Sequence, residues 1–423
     1  MFVFAVVLLF TVLAIFLLRW ATPNDQYGLT TFQLTLAFSF KILMGCAYGY
    51  IFLVKYDGDD TWWLHEYSLG QFDLLREDPW WFFAEMNPML TFNRDDGLAT
   101  NCYYYLADLE LWLLTKPFAF LNFLSGGNYY INIIFFNLPV FFGHYWLFRM
   151  LRQKFAAPRW PLFAAVFLIP PVVFWLSGLR ADGILFFLMM LAFRTFSKLI
   201  KHVAVKPIII FLFSLAGIVI FRNVHAALIL PAFVSWLIAE KSGRKALPVF
   251  TVVYGICIGF FLGNMLIWPD KNAASLIVNR QHEFFELAGN TRFNLDTLKP
   301  NAISFVQVLP QAANNTFLRP YPWEAKGILQ YATVLEVLLF LMLIVLFVFR
   351  RIPGWKSVLN HPFTLTLLFF GISLYLFTGY VVPFPGAIVR YKIIGEIFFF
   401  AILACVIDWR RIAPNILNNF KIY

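Results

Sequence analysis

Charged side chains are scarce in this chain. Asp, Glu, Lys and Arg make up only 13% of its 423 residues, whereas a soluble domain carries about a quarter of such residues. This composition excludes a soluble globular fold, intrinsic disorder and nucleic-acid binding. We therefore expect no nucleic-acid partner.

Motifs that hold metals or nucleotides are also lacking. The four cysteines form no C-x-x-C pair, so the sequence contains no disulfide framework. The histidines show neither H-x-x-x-H nor H-E-x-x-H spacing, which argues against a fixed zinc site. No Walker A or G-x-G-x-x-G loop is present, so the use of ATP or a nucleotide sugar has no support.

Apolar residues, in contrast, are abundant: 61% of the chain is hydrophobic and its mean hydropathy is +0.72. Runs of roughly 16 to 24 apolar residues can each cross a hydrocarbon core of about 30 Å. We count eleven such runs, at 2–18, 31–54, 129–149, 161–177, 184–200, 207–221, 225–240, 246–268, 328–349, 363–382 and 393–408. The sequence predicts an all-α polytopic membrane protein with about eleven transmembrane helices, in which residues 1–423 form a single transmembrane domain.

Basic residues indicate the orientation. They cluster in five connections that fall on one side if the eleven spans alternate, and most acidic residues fall on the other side. The positive-inside rule makes the basic side cytoplasmic. Arg19 follows the first apolar run instead of preceding it, so we expect a retained span, an outer N-terminus and a cytoplasmic C-terminus. Because no retention signal is visible, we expect a bacterial inner membrane.

Two long connections, residues 55–128 and 269–327, lie on the outer side in this topology. The first mixes aromatic residues with carboxylates, a composition typical of amphipathic helices in the headgroup layer. Asp78 and Pro79 are predicted to begin one such helix as N-cap and first residue. Residues 124–128 are predicted to form the break before the next span. The second connection contains the run 317–324, whose prolines and aromatic residues predict a rigid cover over the site.

The most distinctive acidic segment is residues 55–66, where the second span ends. Asp57, Asp59 and Asp60 place three carboxylates within four residues, and these repel one another unless a cation, a metal ion or a proton-donating substrate shares the site. A carboxylate held at the membrane surface can act as a general base towards an acceptor hydroxyl or amine. The alternative is a solvated loop start in which Asp60 or Thr61 caps an interfacial helix.

The acidic pair Asp59-Asp60, followed by an aromatic residue and an interfacial helix, resembles the Asp-Glu signature of GT-C glycosyltransferases. That superfamily includes protein O-mannosyltransferases and the lipid A aminoarabinose transferase. Asp59 matches the first acid, which in the family acts as the catalytic base or orients the acceptor, whereas Asp60 replaces the Glu and Trp63 matches the aromatic residue. Because Asp replaces Glu here, the choice of base among Asp57, Asp59 and Asp60 stays open.

The resemblance implies an inverting enzyme with a GT-C-like fold. It would transfer sugar from a polyprenyl-phosphate carrier to a glycan, lipid or protein acceptor on the outer, periplasmic or luminal, face. A second acidic segment, residues 93–97, resembles the site that some members bring to the acceptor or to a divalent metal ion, although Asp-Asp-Gly is also an ordinary turn. No cofactor is required by a motif, and a metal ion is left open. We assign acceptor or substrate contacts to His65, Glu66, Asp95, Asp96, Asp182 and Tyr391.

A donor phosphate needs positive charge to stabilise it as it leaves. Arg390 lies in the segment 383–392, which resembles the Arg-Tyr segments found late in polytopic glycosyltransferases and polysaccharide polymerases, and it can clamp a phosphate bidentately. Arg180, Lys392 and Arg319 complete the predicted phosphate ligands. The alternative for these cations is snorkelling towards lipid headgroups or, for Arg319, a structural loop.

Other functions fit the same composition. A polysaccharide polymerase or ligase acting on lipid-diphosphate glycans also needs a long outer loop and arginines. A lipid or glycan transporter is a further alternative, because Lys41, Glu336 and Glu396 lie inside apolar runs, where ionised groups are expensive. The sequence shows no broken-helix signal of the kind that marks transporters. A purely structural membrane subunit is the remaining possibility.

Overall fold

A computed structural model describes residues 2–93, 95–267, 272–288 and 291–412. Within these ranges the chain is helical, and the only β pairing is an isolated bridge between Arg351 and Ile407. The predicted all-α class is therefore confirmed.

The first half of the chain contains ten helices among the described residues. In chain order they are α1 (Phe2–Ala21), α2 (Thr31–Tyr56), α3 (Asp59–Glu77), α4 (Pro79–Ala84), α5 (Pro88–Thr91), α6 (Leu98–Ser125), α7 (Tyr129–Phe155), α8 (Arg159–Phe167), α9 (Pro170–Trp175) and α10 (Ala181–Leu199).

Nine further helices are described in the second half. They are α11 (Val205–Ser242), α12 (Ala246–Ile267), α13 (Ala273–Glu286), α14 (Ala302–Phe317), α15 (Ile328–Arg350), α16 (Trp355–Leu359), α17 (Pro362–Val381), α18 (Pro385–Val406) and α19 (Trp409–Ile412).

Seven of the described helices are long and apolar enough to cross a membrane: α1, α2, α7, α11, α12, α15 and α17. The expected count of about eleven is not confirmed. The run 161–177 forms two short helices, α8 and α9, because Pro170 and Pro171 cannot continue a helix and begin a new one. Helices α10 and α18 are 19 and 22 residues long but carry three charged residues each. Runs 207–221 and 225–240 lie on either side of a kink at Arg222 within α11, so the interruption expected between these two runs is present.

The chain divides into two compact units. Unit 1 comprises residues 1–153 and 167–223, and unit 2 comprises residues 154–166 and 224–423. The division within α11 falls between Asn223 and Val224, next to the extended backbone of Arg222.

Unit 1 is built on α2 and α7. Phe38 of α2 packs edge-on against Phe141 of α7 at 5.7 Å. The ring of Tyr129 leaves no room for a side chain at Gly49, so glycine allows α7 to begin close to α2. Helices α1, α3 and α9 also pack on α2, and α6 packs on α3.

The first predicted outer connection folds into α3, α4, α5 and α6. Asp78 is the N-cap of α4, since its Oδ1 accepts from Trp81 N at 2.9 Å, and Pro79 is the first residue, as predicted. The predicted break at 124–128 is also confirmed, because α6 ends at Gly126 with φ of 60°.

Unit 2 is centred on α17 and α18, which pack against each other. Helices α12, α13, α14 and α16 also contact α17, and α14, α15 and α16 contact α18. The described part of the second predicted outer connection, residues 272–288 and 291–327, thus contributes α13 and α14 to the packed core of this unit.

Gly379 of α17 provides a test of this packing. A Cβ atom there would lie 2.7 Å from the carbonyl carbon of Ala312, which is rigid backbone of α14. We expect Gly379→Ala to lower the free energy of unfolding by about 1–3 kcal/mol, the usual cost of overpacking. The matched control is Gly259→Ala in α12, where no atom lies within 4 Å and helix propensity should raise stability by about 0.5–1 kcal/mol. Thermal unfolding of both variants in micelles measures the contrast; equal shifts would contradict the packing.

His361 makes the stability of unit 2 depend on pH. It caps α17, with Nδ1 accepting from Phe363 N at 3.1 Å. Burial, and then the charge of Lys154, lowers its pKa from 6.5 to about 4. The unfolded chain therefore binds this proton at higher pH than the folded one, so stability is full above pH 6.5 and falls as pH drops towards about 4.

Replacing this histidine should remove the dependence. Asn caps a helix equally well and does not titrate, so His361→Asn is expected to flatten the stability profile between pH 6.5 and about 4. Unfolding temperatures of both proteins across this range measure the effect. An unchanged slope in the variant would show that His361 is not responsible.

Candidate active site

The acidic segment forms an unusually tight turn between α2 and α3. Asp57, Gly58 and Asp59 all have left-handed backbone, with φ of 51°, 91° and 47°. A side chain at Gly58 would approach Trp62 Cβ to 2.9 Å, and aspartate is one of the few other residues that adopts this conformation. Such backbone strain persists only where the surrounding structure imposes it.

The turn places Asp59 and Asp60 in the first turn of α3. The N-cap is Gly58, and no side chain caps this helix. The alternative in which Asp60 or Thr61 acts as the N-cap is therefore wrong: the left-handed turn begins the helix before either residue. Asp57 lies outside α3 as the C-cap of α2, and its side chain is exposed.

Hydrogen bonds fix the start of α3. The hydroxyl of Thr61 is fully buried, lies 2.7 Å from Tyr129 Oη and donates to the carbonyl of Leu179 at 3.2 Å. Trp62 donates to the carbonyl of Gly49 at 2.9 Å and stacks on Tyr129. The two aspartates are consequently held in a defined position relative to α2, α7 and the segment before α10.

Arg180 brings the positive charge to this turn. Its guanidinium donates to Tyr48 Oη at 3.2 Å, lies 3.5 Å from Asp59 Oδ2 and forms a short ion pair with Asp60. The arginine side chain is 6% exposed, whereas those of Asp59 and Asp60 are 39% and 59% exposed. The carboxylates therefore stay open to an incoming molecule while the arginine is anchored beneath them.

Neighbouring acids keep Arg180 charged. Burial opposes the charge, but Tyr48, Asp182 and Asp60 together raise the pKa of the guanidinium above its usual value. Asp182 is itself buried, in the first turn of α10. The predicted residues Asp59, Asp60, Arg180 and Asp182 thus belong to one cluster within unit 1.

A buried polar network supports the segment that carries Arg180. Lys41 Nζ donates to Leu176 O and to Ser177 Oγ, both at 3.0 Å, and lies 3.3 Å from His144 Nε2. Asn137 donates to the carbonyl of Ser177 at 2.9 Å. These contacts account for Lys41, an ionisable residue inside an apolar run, as a support of the site.

Glu110 and Tyr48 are site residues that the sequence reasoning missed. Glu110 pairs with Arg222 at 2.9 Å. Burial raises the pKa of Glu110, the charge of Arg222 opposes this, and the charge of Asp182 raises it further. Glu110 could have been recognised as a carboxylate within the apolar stretch 106–114. Nothing in the sequence distinguishes Tyr48 from the other tyrosines.

The predicted acceptor residues of α3 differ in exposure. Glu66 is exposed, whereas His65 is buried against Trp62 and Tyr129. Burial lowers the pKa of His65, so the imidazole is neutral at pH 7.

Asp95 and Asp96 lie in an exposed turn. Asn101 holds that turn by donating to the carbonyls of Asn93 at 2.9 Å and Asp96 at 3.1 Å. Arg94, part of the same segment, lies outside the described residues. These contacts give the turn a structural role at the start of α6.

The remaining predicted phosphate ligands belong to unit 2. Arg390 is half-buried and donates to Tyr391 Oη at 3.3 Å. Lys392 is buried between Glu336 and Glu396. Arg319 donates through Nε to Glu324 at 3.0 Å. Burial raises the pKa of Glu324, but the hydrogen bond from Arg319 outweighs this effect, so the pKa lies below its usual value.

Across the described ranges, no three His, Cys, Asp or Glu side chains are grouped so that they could hold a metal ion. The chemistry on offer in unit 1 is instead a pair of accessible carboxylates beside a fixed guanidinium. Such a site can accept a proton and stabilise negative charge in one place.

No family model, curated protein or solved structure matches this chain. The arrangement of its own residues therefore carries the functional argument.

The ion pair at the site predicts a difference between two aspartates of α3. Asp60→Ala leaves the nearly buried Arg180 with one anion fewer, so we expect a loss of about 1–3 kcal/mol in the free energy of unfolding. Asp73→Ala, the control, removes an exposed carboxylate 4.0 Å from Arg76, and should change stability by at most about 0.5 kcal/mol. Denaturant unfolding measures both; an Asp60 variant as stable as the control would mean that Arg180 does not depend on this partner.

Proposed function

We propose that the protein is an integral membrane glycosyltransferase that takes a sugar from a polyprenyl-phosphate carrier and transfers it to an acceptor on the outer face. The observation that carries the proposal is the pair of half-exposed carboxylates, Asp59 and Asp60, anchored on the buried guanidinium of Arg180. Carboxylates beside a guanidinium suit a displacement at a sugar carbon in which a proton is removed from the acceptor while a phosphate leaves.

In this proposal Asp59 is the general base. Its contact with Arg180 is the longer of the two, and its carboxylate is accessible. It removes the proton from the acceptor hydroxyl as the acceptor oxygen bonds to the anomeric carbon. The bond from that carbon to the phosphate oxygen breaks, and the polyprenyl phosphate leaves with the electron pair. Arg180 orients Asp60 and supplies positive charge where the leaving phosphate gains negative charge.

The first long connection supports action at a membrane surface. Helices α4, α5 and α6 expose a set of large apolar and aromatic side chains: Trp80, Trp81, Phe83, Met89, Leu90, Leu98, Tyr103 and Tyr104. Aromatic residues of this kind favour the headgroup layer. We propose that they form the interfacial platform at which a lipid-linked donor reaches the site, in a bacterial inner membrane with the N-terminus outside.

Other roles stay predictions. Arg390 and Arg319 keep their proposed function as phosphate ligands, and Lys392 is the weakest of these because its ammonium is buried between two carboxylates. Acceptor contacts by His65, Glu66, Asp95, Asp96, Asp182 and Tyr391 are proposed on the same basis. A divalent metal ion is not needed for the reaction as proposed.

Sugar transfer by the purified protein in lipid tests the proposal. With a panel of synthetic polyprenyl-phosphate sugars, we expect transfer by the wild type and a loss of about a hundredfold or more for Asp59→Asn, the range for a lost general base. Arg180→Gln should cost a similar factor because it removes charge stabilisation of the leaving phosphate. Arg390→Ala tests the second proposed phosphate ligand.

The matched control for this assay is Asp73→Asn, an exposed aspartate of the same helix, which should retain wild-type transfer. Full activity of the Asp59 and Arg180 variants would be consistent with a transferase but would show that these two residues do not form its active site. If no donor supports transfer, the proposal that the protein is a glycosyltransferase is wrong.

A lipid or glycan transporter is the second candidate, and one observation favours it. Lys392, Glu336 and Glu396 form a buried charged group within apolar helices of unit 2, and such groups often belong to ion or proton pathways. Movement of a labelled lipid-linked glycan across vesicles, without covalent change, would support transport over transfer. A polymerase or ligase would instead lengthen a lipid-diphosphate glycan in the same preparation.

A further inference from the structure

Unit 2 contains three charged side chains that are buried together. Lys392 and Glu396 lie one turn apart on α18, and Glu336 lies on α15, which packs against α18. Each of these side chains is at most 2% exposed. Their burial distinguishes them from the surface ion pairs of the chain, which remain in contact with solvent.

The contacts within this group are incomplete. Lys392 Nζ lies 3.7 Å from Glu336 Oε1 and 3.7 Å from Glu396 Oε2, too far for hydrogen bonds, and donates to the carbonyl of Thr316 at 3.3 Å. Both oxygens of Glu336 and Oε2 of Glu396 have no hydrogen-bond partner within the described parts of the chain. A buried ionised carboxylate without such partners is strongly destabilising.

The surroundings provide no second cation among the described contacts. Helix α17 presents the ring of Tyr375, 5.4 Å from Lys392 Nζ, and α14 contributes the carbonyl of Thr316. Helix α16 also packs on α18, but its Lys356 is exposed. Two carboxylates thus face one ammonium, and the group would carry a net charge of −1 if all three were ionised.

A proton removes this imbalance. Bound to either carboxylate, it brings the net charge to zero and supplies an O–H donor to oxygens that lack one. We infer that Glu336 and Glu396 share one exchangeable proton, and that Lys392, Glu336 and Glu396 together form a proton-binding site inside unit 2. Uptake transfers a proton from hydronium to a carboxylate oxygen and leaves water; release is the reverse, and no other bond changes.

The charge count predicts how each variant changes the carboxylic-acid C=O band in the infrared spectrum. The band is measured in lipid at about pH 7, well above the ordinary glutamate pKa of about 4.3. In the wild type this site should contribute one protonated carboxyl per chain to the band. Glu336→Gln and Glu396→Gln should each abolish this contribution, because the remaining carboxylate is balanced by Lys392. Lys392→Met should double it, because both carboxylates then lack a cation.

Glu283→Gln is the matched control, since Glu283 lies in the same unit but is 58% exposed beside Arg280. It should leave the band unchanged. A band whose intensity does not fall by one carboxyl per chain in both Glu336→Gln and Glu396→Gln would overturn the inference. If Lys392→Met does not fold, the two glutamine variants, which preserve side-chain shape, decide the matter. The readout is independent of sugar transfer.

Discussion

The ion pair between Arg180 and the aspartates of α3 is the interaction on which unit 1 depends most. A guanidinium among apolar helices needs anions and hydrogen-bond acceptors close by, and Asp60, Asp59 and Tyr48 provide them. Because Lys41 holds the segment in front of Arg180, buried polar contacts connect the middle of α2 with the exposed carboxylates. Support and candidate chemistry are therefore parts of one network.

Unit 2 meets the same constraint less completely. There a single ammonium faces two carboxylates, and three of their oxygens lack hydrogen bonds. Unit 1 resolves its charges at a surface where water can reach the acids, whereas unit 2 encloses them. The two units therefore differ in whether solvent and larger molecules can reach their charged side chains.

Much of the architecture could be predicted from the sequence, because long apolar runs and proline or glycine breaks act locally. Asp78 as a cap and Gly126 as a helix end are examples. The count of spans was not predicted correctly, since Pro170 begins a new helix within one apolar run and since α10 and α18 each carry three charged residues. Within the candidate site, Asp59 and Asp60 were recognisable by clustering, but their partner depends on contacts between residues about 120 positions apart.

The left-handed turn of Asp57, Gly58 and Asp59 also fixes how this region can vary in length. An α-helix rotates by about 100° per residue, so one residue inserted between α2 and α3 would swing the first turn of α3 away from Arg180. A longer, looser connection would also move the start of α3, which Thr61 and Trp62 fix by hydrogen bonds to Leu179 and to Gly49 of α2. In related chains, insertions and deletions at this junction should therefore be rare.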